Sequence, residues 1–477
     1  MAKNTRWDKN LLVTSDGDGL IGHAGAVLLR KLADQCGLTA ALGAALSRAG
    51  KFPLIDRGMT LVSVAAAIVL GAASMNDITL LGHLAPVLGA PPSDTTVRRT
   101  LELADDKTLR KIAKARAKVR AHVWQLIAAT AAGFPWLTIA GKTLAGWLVI
   151  DMDATLITAH SDKEGAAPTF KKGFGFHPLG AWLANTGESL AMLLRPGNAG
   201  SNTVADHLQV LRDALAQIPA GWGRKLLIRV DGAGATHDLV KHLLTLTIRR
   251  RTVLFTCGWM ITGADEAAIA MLPADAWKPG TGQDGTVQKK CHVAEITHLM
   301  SRAEGWPPGL RWIVRRTKPS RRQMKNLTAY EKKTGWRYSI IVTNIPGTGI
   351  KGVPGSHHPQ FIDVLHREHA VVEDRVRTNK AMGLRNLPSK AWAVNRGWVL
   401  AANIAADLAA WCQLLGLYDC DDVKDAEPDT LRYRLLHLPA RLVRHARKRV
   451  LKISATWPWK EAFTTCWQRL CALPAPI

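Results

Sequence analysis

Apolar positions in the first third of the chain recur at helical spacing. Ala24 to Cys36 repeats them every three or four residues, which predicts an amphipathic helix. Leu61 to Met75 is almost wholly apolar. It is shorter than the ~20 residues a bilayer-spanning helix needs, so it reads as a buried helix. Ser93 to Asp105 opens on a capping residue and continues with an amphipathic pattern. Asp106 to Ala128 is helical again and carries Lys107, Arg110, Lys111, Lys114, Arg116, Lys118 and Arg120. Such a basic face is either solvated or in contact with phosphates.

From about residue 146 strand and helix patterns alternate. Leu148 to Ile150 is a short apolar run before Asp151, and Ser189 to Leu194 is a strand or a short helix. Thr203 to Ile218 reads as helix, Leu226 to Val230 as a strand ending at Asp231, and Thr236 to Thr247 as helix. This alternation implies an α/β sheet. Ligands of such sheets sit at the carboxyl ends of strands, where Asp153 and Asp231 fall. Between 257 and 350 helical periodicity gives way to β-like runs such as Leu310 to Arg316 and Trp336 to Asn344, a β-rich insertion. A loop over 347–359 leads into a long helix, Phe361 to Lys380, with Glu373 in its middle. Residues 391–417 form an apolar core helix, and the tail beyond 431 is strongly basic and expected to be helical. The resulting division is a helical 1–145, an α/β core over 146–256 and 359–425, the insertion over 257–358, and a basic helical tail over 426–477.

Composition sharpens this picture. The chain has 477 residues, 47% of them hydrophobic, which excludes a disordered protein and suggests several domains. A net charge of +25 and a pI near 10.1 argue for a polyanionic partner. Nucleic acid fits best, and an anionic membrane surface is the main rival. Residues 1–30 lack the pattern of a secretory signal. Seven scattered cysteines form no C-x-x-C pair, which points to reduced thiols in a cytoplasm and away from structural zinc.

Three acidic residues are the candidate chemistry: Asp153 and Asp231 at strand ends and Glu373 on a helix. Such a set can hold two divalent cations for phosphoryl chemistry. Asp151 shares a strand face with Asp153 and is the alternate ligand. Gly232 and Gly234 after Asp231 allow close approach of a phosphate or metal. His366, His369, Glu373 and Lys380 fall on one face if the helix is continuous. The plain alternative is a charged surface helix. Metal binding by His366, His369 and Glu373 lacks the H-E-x-x-H spacing and ranks below both. Gly17 to Gly22 matches G-x-G-x-x-G, but no βαβ unit follows, which disfavours a dinucleotide site. Trp306, Trp312, Trp336 and Tyr338 lie among many cations, a composition suited to stacking on unpaired bases or simply to a β core.

At these residues the chain resembles a DDE transposase of a bacterial insertion sequence. Asp153-Ala154-Thr155 resembles the D-x-T of the first catalytic strand, and Val230-Asp231-Gly232 resembles the second. Residues 366–380 resemble the family's Y-x-x-R-x-x-x-E-x-x-x-x-x-x-K signature, with His366 and His369 in place of Tyr and Arg. Gly165 to Leu179 also resembles the segment after the first aspartate in one subfamily. The resemblance implies an RNase H-like core, a mixed sheet flanked by helices, with a β-rich insertion before the final glutamate. It implies cut-and-paste transposition, with Asp153, Asp231 and Glu373 holding two Mg²⁺ ions that Mn²⁺ can replace. End cleavage would proceed through a hairpin, followed by strand transfer. The partners would be double-stranded DNA, both terminal inverted repeats and target, bound by a homodimer in a bacterial cytoplasm, with no membrane. Lys380, His366, His369, Arg367, Arg375, Arg98 and Arg99 would contact DNA, and Trp336 or Tyr338 would stack on a flipped base. A related nuclease and a non-catalytic DNA-binding derivative are the alternatives.

Overall fold

The computed structural model describes residues 11–48, 53–299 and 306–476. A two-residue strand β1 (Leu20–Ile21) precedes helices α1 (Ala26–Gln35), α2 (Leu38–Leu46), α3 (Arg57–Val69), α4 (Asp94–Leu101) and α5 (Asp106–Ala128). The last three start at side-chain caps. Asp56 accepts from the Met59 amide, Ser93 from Thr96 and Asp105 from Thr108, satisfying amides left unpaired in a first turn.

Strands β2 (Leu148–Ala154), β3 (Leu179–Leu183) and β4 (Ser189–Leu193) follow. Then come α6 (Val204–Leu215), β5 (Lys225–Val230), α7 (His237–Thr245) and β6 (Thr252–Trp259). Next are β7 (Lys278–Thr281), β8 (Val287–Glu295), β9 (Arg311–Thr317) and β10 (Arg337–Thr343). All nine join one sheet in the order β7-β8-β9-β10-β6-β5-β2-β3-β4. β2, β5 and β6 are parallel and the other pairings antiparallel. Ser189 to Leu194 is therefore strand. The β-rich insertion is not a separate body: β10 pairs along the edge of β6, Thr343 opposite Thr256, and extends the core sheet outward. Its strands bury their apolar residues only in part: Val287–Glu295 leaves Lys289 and Lys290 exposed, while Trp312 to Val314 and Ile340 to Val342 join the core.

The chain continues through α8 (Pro359–Arg367), a 3-10 turn (Glu368–Ala370) and α9 (Val371–Asn379). A kinked turn follows at Lys380–Leu384, where Gly383 takes φ +88°. Residues 361–380 are thus not one helix, and the single face expected for His366, His369, Glu373 and Lys380 is broken between the first two and Glu373. Helix α10 (Trp392–Gly416) is long and apolar enough to cross a membrane, yet 78% of its most apolar window lies buried in the protein. It packs on α3 and α4. A Cβ on Gly397 would lie 2.4 Å from the Leu101 carbonyl oxygen, so only glycine permits that approach.

The basic tail is not wholly helical. Residues 440–453 form a hairpin of β11 (Ala440–His445) and β12 (Lys448–Ile453), and only α11 (Lys460–Ala472) is helix there. Ala446 and Arg447 take φ +46° and +65°, the left-handed pair of a tight hairpin turn. β1 pairs with β11, and α11 packs on α1 and α10. The expected N-terminal domain, 359–425 and the tail therefore share one hydrophobic core. The glycines of Gly17 to Gly22 serve this clasp: Gly19, at φ +71°, would place a Cβ 2.5 Å from the Leu442 carbonyl oxygen.

Between sheet and helices lies a buried ionic network. Glu188, in the β3–β4 turn, accepts from Arg120 Nε at 2.7 Å, Trp411 Nε1 at 2.7 Å, Trp124 Nε1 at 2.8 Å and the Thr186 hydroxyl. Asp407 on α10 accepts from Arg116 and Arg120, both at 2.7 Å. Two residues of the basic stripe on α5 thus face inward. Lys107, Arg110, Lys111, Lys114 and Lys118 remain exposed.

Candidate active site

Two aspartates meet because their strands are neighbours. β2 and β5 run parallel with Met152 opposite Val230, so the next residues, Asp153 and Asp231, emerge side by side at the carboxyl edge. Asp153 is half-buried, and its Oδ1 accepts from the Ala154 amide at 2.7 Å. Asp231 Oδ1 accepts from the Gly234 amide at 2.9 Å, which closes the turn after β5. A Cβ on Gly234 would stand 2.7 Å from His207 Nε2 and 3.3 Å from Asp231 Oδ1, so this glycine sets the aspartate's position.

Glu373 reaches the same edge from α9. His369 anchors that approach: its Nε2–H donates to the Met152 carbonyl at 3.1 Å, one residue before Asp153. The electrostatics show the convergence. Burial first, and then the Asp231 charge, push the Asp153 carboxyl up to about 6, and Glu373 adds to the rise. His369 and the Ala154 amide oppose it. Asp231 also adds to the burial that pushes the adjacent Cys257 thiol up to about 12. Among the described residues none of the three carboxylates pairs with a lysine or arginine. Nor do three His, Cys, Asp or Glu side chains stand close enough, as placed, to enclose a metal ion.

Asp151 faces the opposite way from its neighbour in function. It is buried, and both its oxygens are held by Arg229, Nε at 2.6 Å and Nη2 at 2.8 Å. Arg229 also donates to the Leu365 carbonyl at 3.0 Å, tying α8 to the sheet. A buried guanidinium thus occupies both oxygens of the alternate ligand candidate, and Asp151 ties β2 to β5.

Several residues expected on DNA point inward. The half-buried His366 shares a hydrogen bond with the Thr256 hydroxyl at 3.0 Å, and burial depresses it to about 3. It remains neutral and cannot attract a phosphate. His369 is occupied by Met152. Arg367 pairs with Asp363 at 2.9 Å and donates to the Thr281 carbonyl. Arg375 lies against Gly187, where a Cβ would meet its Nη1 at 2.7 Å. Tyr338 is 8% exposed and packs on Trp277 and Tyr330, which leaves no face for a base. Trp336 is half-buried, with Lys318 Nζ 3.9 Å from its ring centroid and Arg316 at 4.7 Å. Lys380 is half-buried at the start of the kinked turn, and burial lowers its affinity for the proton. Arg98 and Arg99 are exposed on α4, Arg98 pairing with Glu102.

Sequence reasoning missed the aromatic group beside Asp231. His237 stacks on Trp259 at 5.3 Å and lies 4.1 Å from Trp306, which in turn meets Trp312 at 4.7 Å. Gly258, preceding Trp259, lies against the Gly232 backbone, which brings this group to the turn after Asp231. Trp306 and Trp312 were visible as tryptophans among cations; their meeting with His237 was not.

A family model described as transposase DDE domain group 1 matches residues 3–475. The chain belongs to this family. The DDE family as a whole acts through acidic residues and divalent metal, and the large mixed sheet of this transposase-family chain carries two aspartates side by side at one edge, with Glu373 on α9 near enough to add to the Asp153 shift. Among solved structures, it is similar to a piggyBac transposase in a synaptic complex with hairpin DNA. There the TM-score is 0.41 and the identity 12%, over 91% of this chain and 82% of that one. Among curated proteins, it is 30% identical over 111 residues to the pyridoxal 5′-phosphate synthase subunit PdxS of Listeria innocua serovar 6a, and 29% identical to that of Listeria monocytogenes serotype 4a. Those matches cover 23% of this chain, which spans 37% of the length of the PdxS proteins. The family assignment rests on the family match.

Proposed function

We propose that this chain is an insertion-sequence transposase of bacterial origin that cleaves and joins DNA with Asp153, Asp231 and Glu373. The observation carrying this reading is the side-by-side emergence of Asp153 and Asp231 at the carboxyl edge of adjacent parallel strands, with the Glu373 charge near enough to raise Asp153 further. The order of strands β4-β3-β2-β5-β6, with β2, β5 and β6 parallel, supports an RNase H-like core.

The donors fit the implied metal. Hard carboxylate oxygens suit Mg²⁺ or Mn²⁺, and burial followed by the neighbouring carboxylate charges raises Asp153, which a bound cation would offset. Glu373 is exposed on the first turn of α9, so enclosure needs only its closure toward the two aspartates. Bound divalent cations would supply activation of the attacking oxygen and stabilisation of the leaving oxygen. The chain's own residues do the positioning. Gly234 and the Asp231 turn fix one carboxylate, and the His369–Met152 bond sets the other helix against β2. His369 thereby takes a positioning role where the resembled signature has arginine. Hydrolysis at the element's end would free a 3′-hydroxyl, its attack on the opposite strand would close a hairpin, hydrolytic opening of that hairpin would restore the 3′-hydroxyl, and its attack on target DNA would complete the proposed sequence, in a homodimer. The setting is a reducing bacterial cytoplasm. Trp259 and Trp306, beside Asp231, suit an unpaired base better than the buried Tyr338.

The test is cleavage of labelled DNA carrying the flanking inverted repeat, with Mg²⁺ or Mn²⁺. Metal-dependent nicks and hairpins, abolished in Asp153→Ala, Asp231→Ala and Glu373→Ala while DNA binding persists, are the expected result. Nicking without joined products would indicate a nuclease. Binding without cleavage in the wild type would refute the catalytic reading.

A further inference from the structure

We infer that the β11–β12 hairpin is a DNA-binding ribbon that presents one face, Arg441, His445, Lys448 and Lys452, to the major groove of a duplex; this rests on the proposed function. The register divides the hairpin into two faces, because residues opposite each other in an antiparallel pair project to the same side. Arg441 opposes Lys452, Val443 opposes Val450 and His445 opposes Lys448. Arg441, His445, Lys448 and Lys452 are exposed. The other face holds Leu442 opposite Leu451 and Ala440 opposite Ile453. Leu442, Leu451 and Ile453 pack against the main hydrophobic core. Arg449 on that side donates to the Pro86 and Val87 carbonyls, pinning the ribbon to the helical body. One face is therefore anchored through its apolar pairs, with Arg444 and Arg449 exposed near the turn, and the other is offered to solvent.

Charge selects the partner. No aspartate or glutamate occurs between Asp429 and Glu461, while the hairpin and its turn carry Arg441, Arg444, Arg447, Lys448, Arg449 and Lys452. Nothing on the ribbon neutralises these cations, and a polyanion can. The shape selects further. Six residues per strand extend about 20 Å. The major groove is about 12 Å wide and admits a two-stranded ribbon. β1 and the tight turn hold the ribbon rigid, so little ordering entropy is lost on docking.

The experiment measures binding of a duplex lacking the inverted repeat, in EDTA, as a function of salt. The catalytic carboxylates take no part under those conditions. Arg441→Gln, Lys448→Gln and Lys452→Gln are combined in one full-length variant. Three lost phosphate contacts should lower the slope of log affinity against log salt by about 2.7. Between 50 and 200 mM salt the wild type should therefore lose about 40-fold more affinity than the variant. Two further variants keep the inference falsifiable. Arg444→Gln with Arg449→Gln removes charge from the anchored side and should leave the slope nearly unchanged. Arg441→Lys with Lys448→Arg and Lys452→Arg keeps the charge and should keep the slope. An unchanged slope in the triple glutamine variant would overturn the inference, as would equal losses per charge on both faces. Retained duplex binding with lost binding to phosphatidylserine vesicles would overturn it in favour of a membrane. Absence of any duplex binding by the wild type would overturn the proposed function as well, which separates the two failures.

Discussion

Glu188→Gln changes no shape and one charge, and the network around it sets the cost. The carboxylate accepts four hydrogen bonds, two on each oxygen: Arg120 and Trp411 on Oε1, Trp124 and Thr186 on Oε2. An amide offers one oxygen, and its nitrogen only donates, so two of the four donors must face an NH₂ group. With Arg116, Arg120, Glu188 and Asp407 the cluster holds two positive and two negative charges, all buried. The substitution leaves it one positive charge in excess. Breaking a buried pair in this way costs about 3–5 kcal/mol, and each orphaned donor about 1–3 kcal/mol within or beyond that range. A loss of about 4 kcal/mol is the expected outcome. Unfolding entropy of about 2.1 cal/mol/K per residue gives about 1 kcal/mol/K for a chain of this size, so the midpoint should fall by about 4 °C. The assay is a pair of thermal melts, one by circular dichroism and one by tryptophan fluorescence, to which Trp124 and Trp411 contribute among the 17 tryptophans. Coincident midpoints within 1 °C of wild type would refute the reasoning. They would mean that Arg120 finds another partner or water.

Asp153 gives a pH signature. Its carboxyl is raised to about 6, so the stability that its proton contributes is complete below the unfolded value of 3.8 and is lost as pH rises through 6. Asp153→Asn should therefore stabilise the metal-free chain at pH 8 and do so less at pH 5; melts showing the asparagine variant less stable at pH 8 would refute this. Arg229→Met leaves the buried Asp151 charge unpaired and should cost about 3–5 kcal/mol in urea unfolding, with part recovered by adding Asp151→Asn. A single variant as stable as wild type would contradict the structural role of that pair. Gly234→Ala drives a Cβ into His207 and Asp231 and should reduce cleavage on the order of 10- to 100-fold with the fold retained. Wild-type cleavage would show that the turn adjusts freely.

The two strands that bring Asp153 and Asp231 together were legible because their signals are local. L-V-I-D and L-L-I-R-V-D announce buried strands that end in carboxylates, and small residues after Asp231 mark a tight turn. The choice between Asp151 and Asp153 was not legible, since it depends on Arg229, seventy-eight positions away in the chain and adjacent only through strand pairing. The same applies to α5, where Arg116 and Arg120 look like their exposed neighbours until Asp407 and Glu188 arrive from α10 and the β3–β4 turn. The break between α8 and α9 carries no proline or glycine; His366 and His369 make it by binding Thr256 and Met152. The ribbon escaped notice because its arginines drew attention to charge. Arg441-Leu442-Val443-Arg444 does not alternate, so the strand emerges only through its paired register with Lys448–Ile453.

The clasp between the two ends of the chain has a consequence for how such a gene decays. The Ala24 amide bonds to the Leu438 carbonyl, the Gly25 amide to Leu436, and β1 to β11, so residues near 20 complete their backbone pairing only with residues near 440. A premature stop or frameshift anywhere upstream of that point removes the strand beside β1, the ribbon and the cover over α1 in one stroke. Truncated copies of the gene would then yield misassembled chains instead of smaller proteins that still occupy DNA. Loss of the residues from about 430 onward would unseat β1 and α1 as well, so such a truncation would abolish folding of the helical body along with the ribbon.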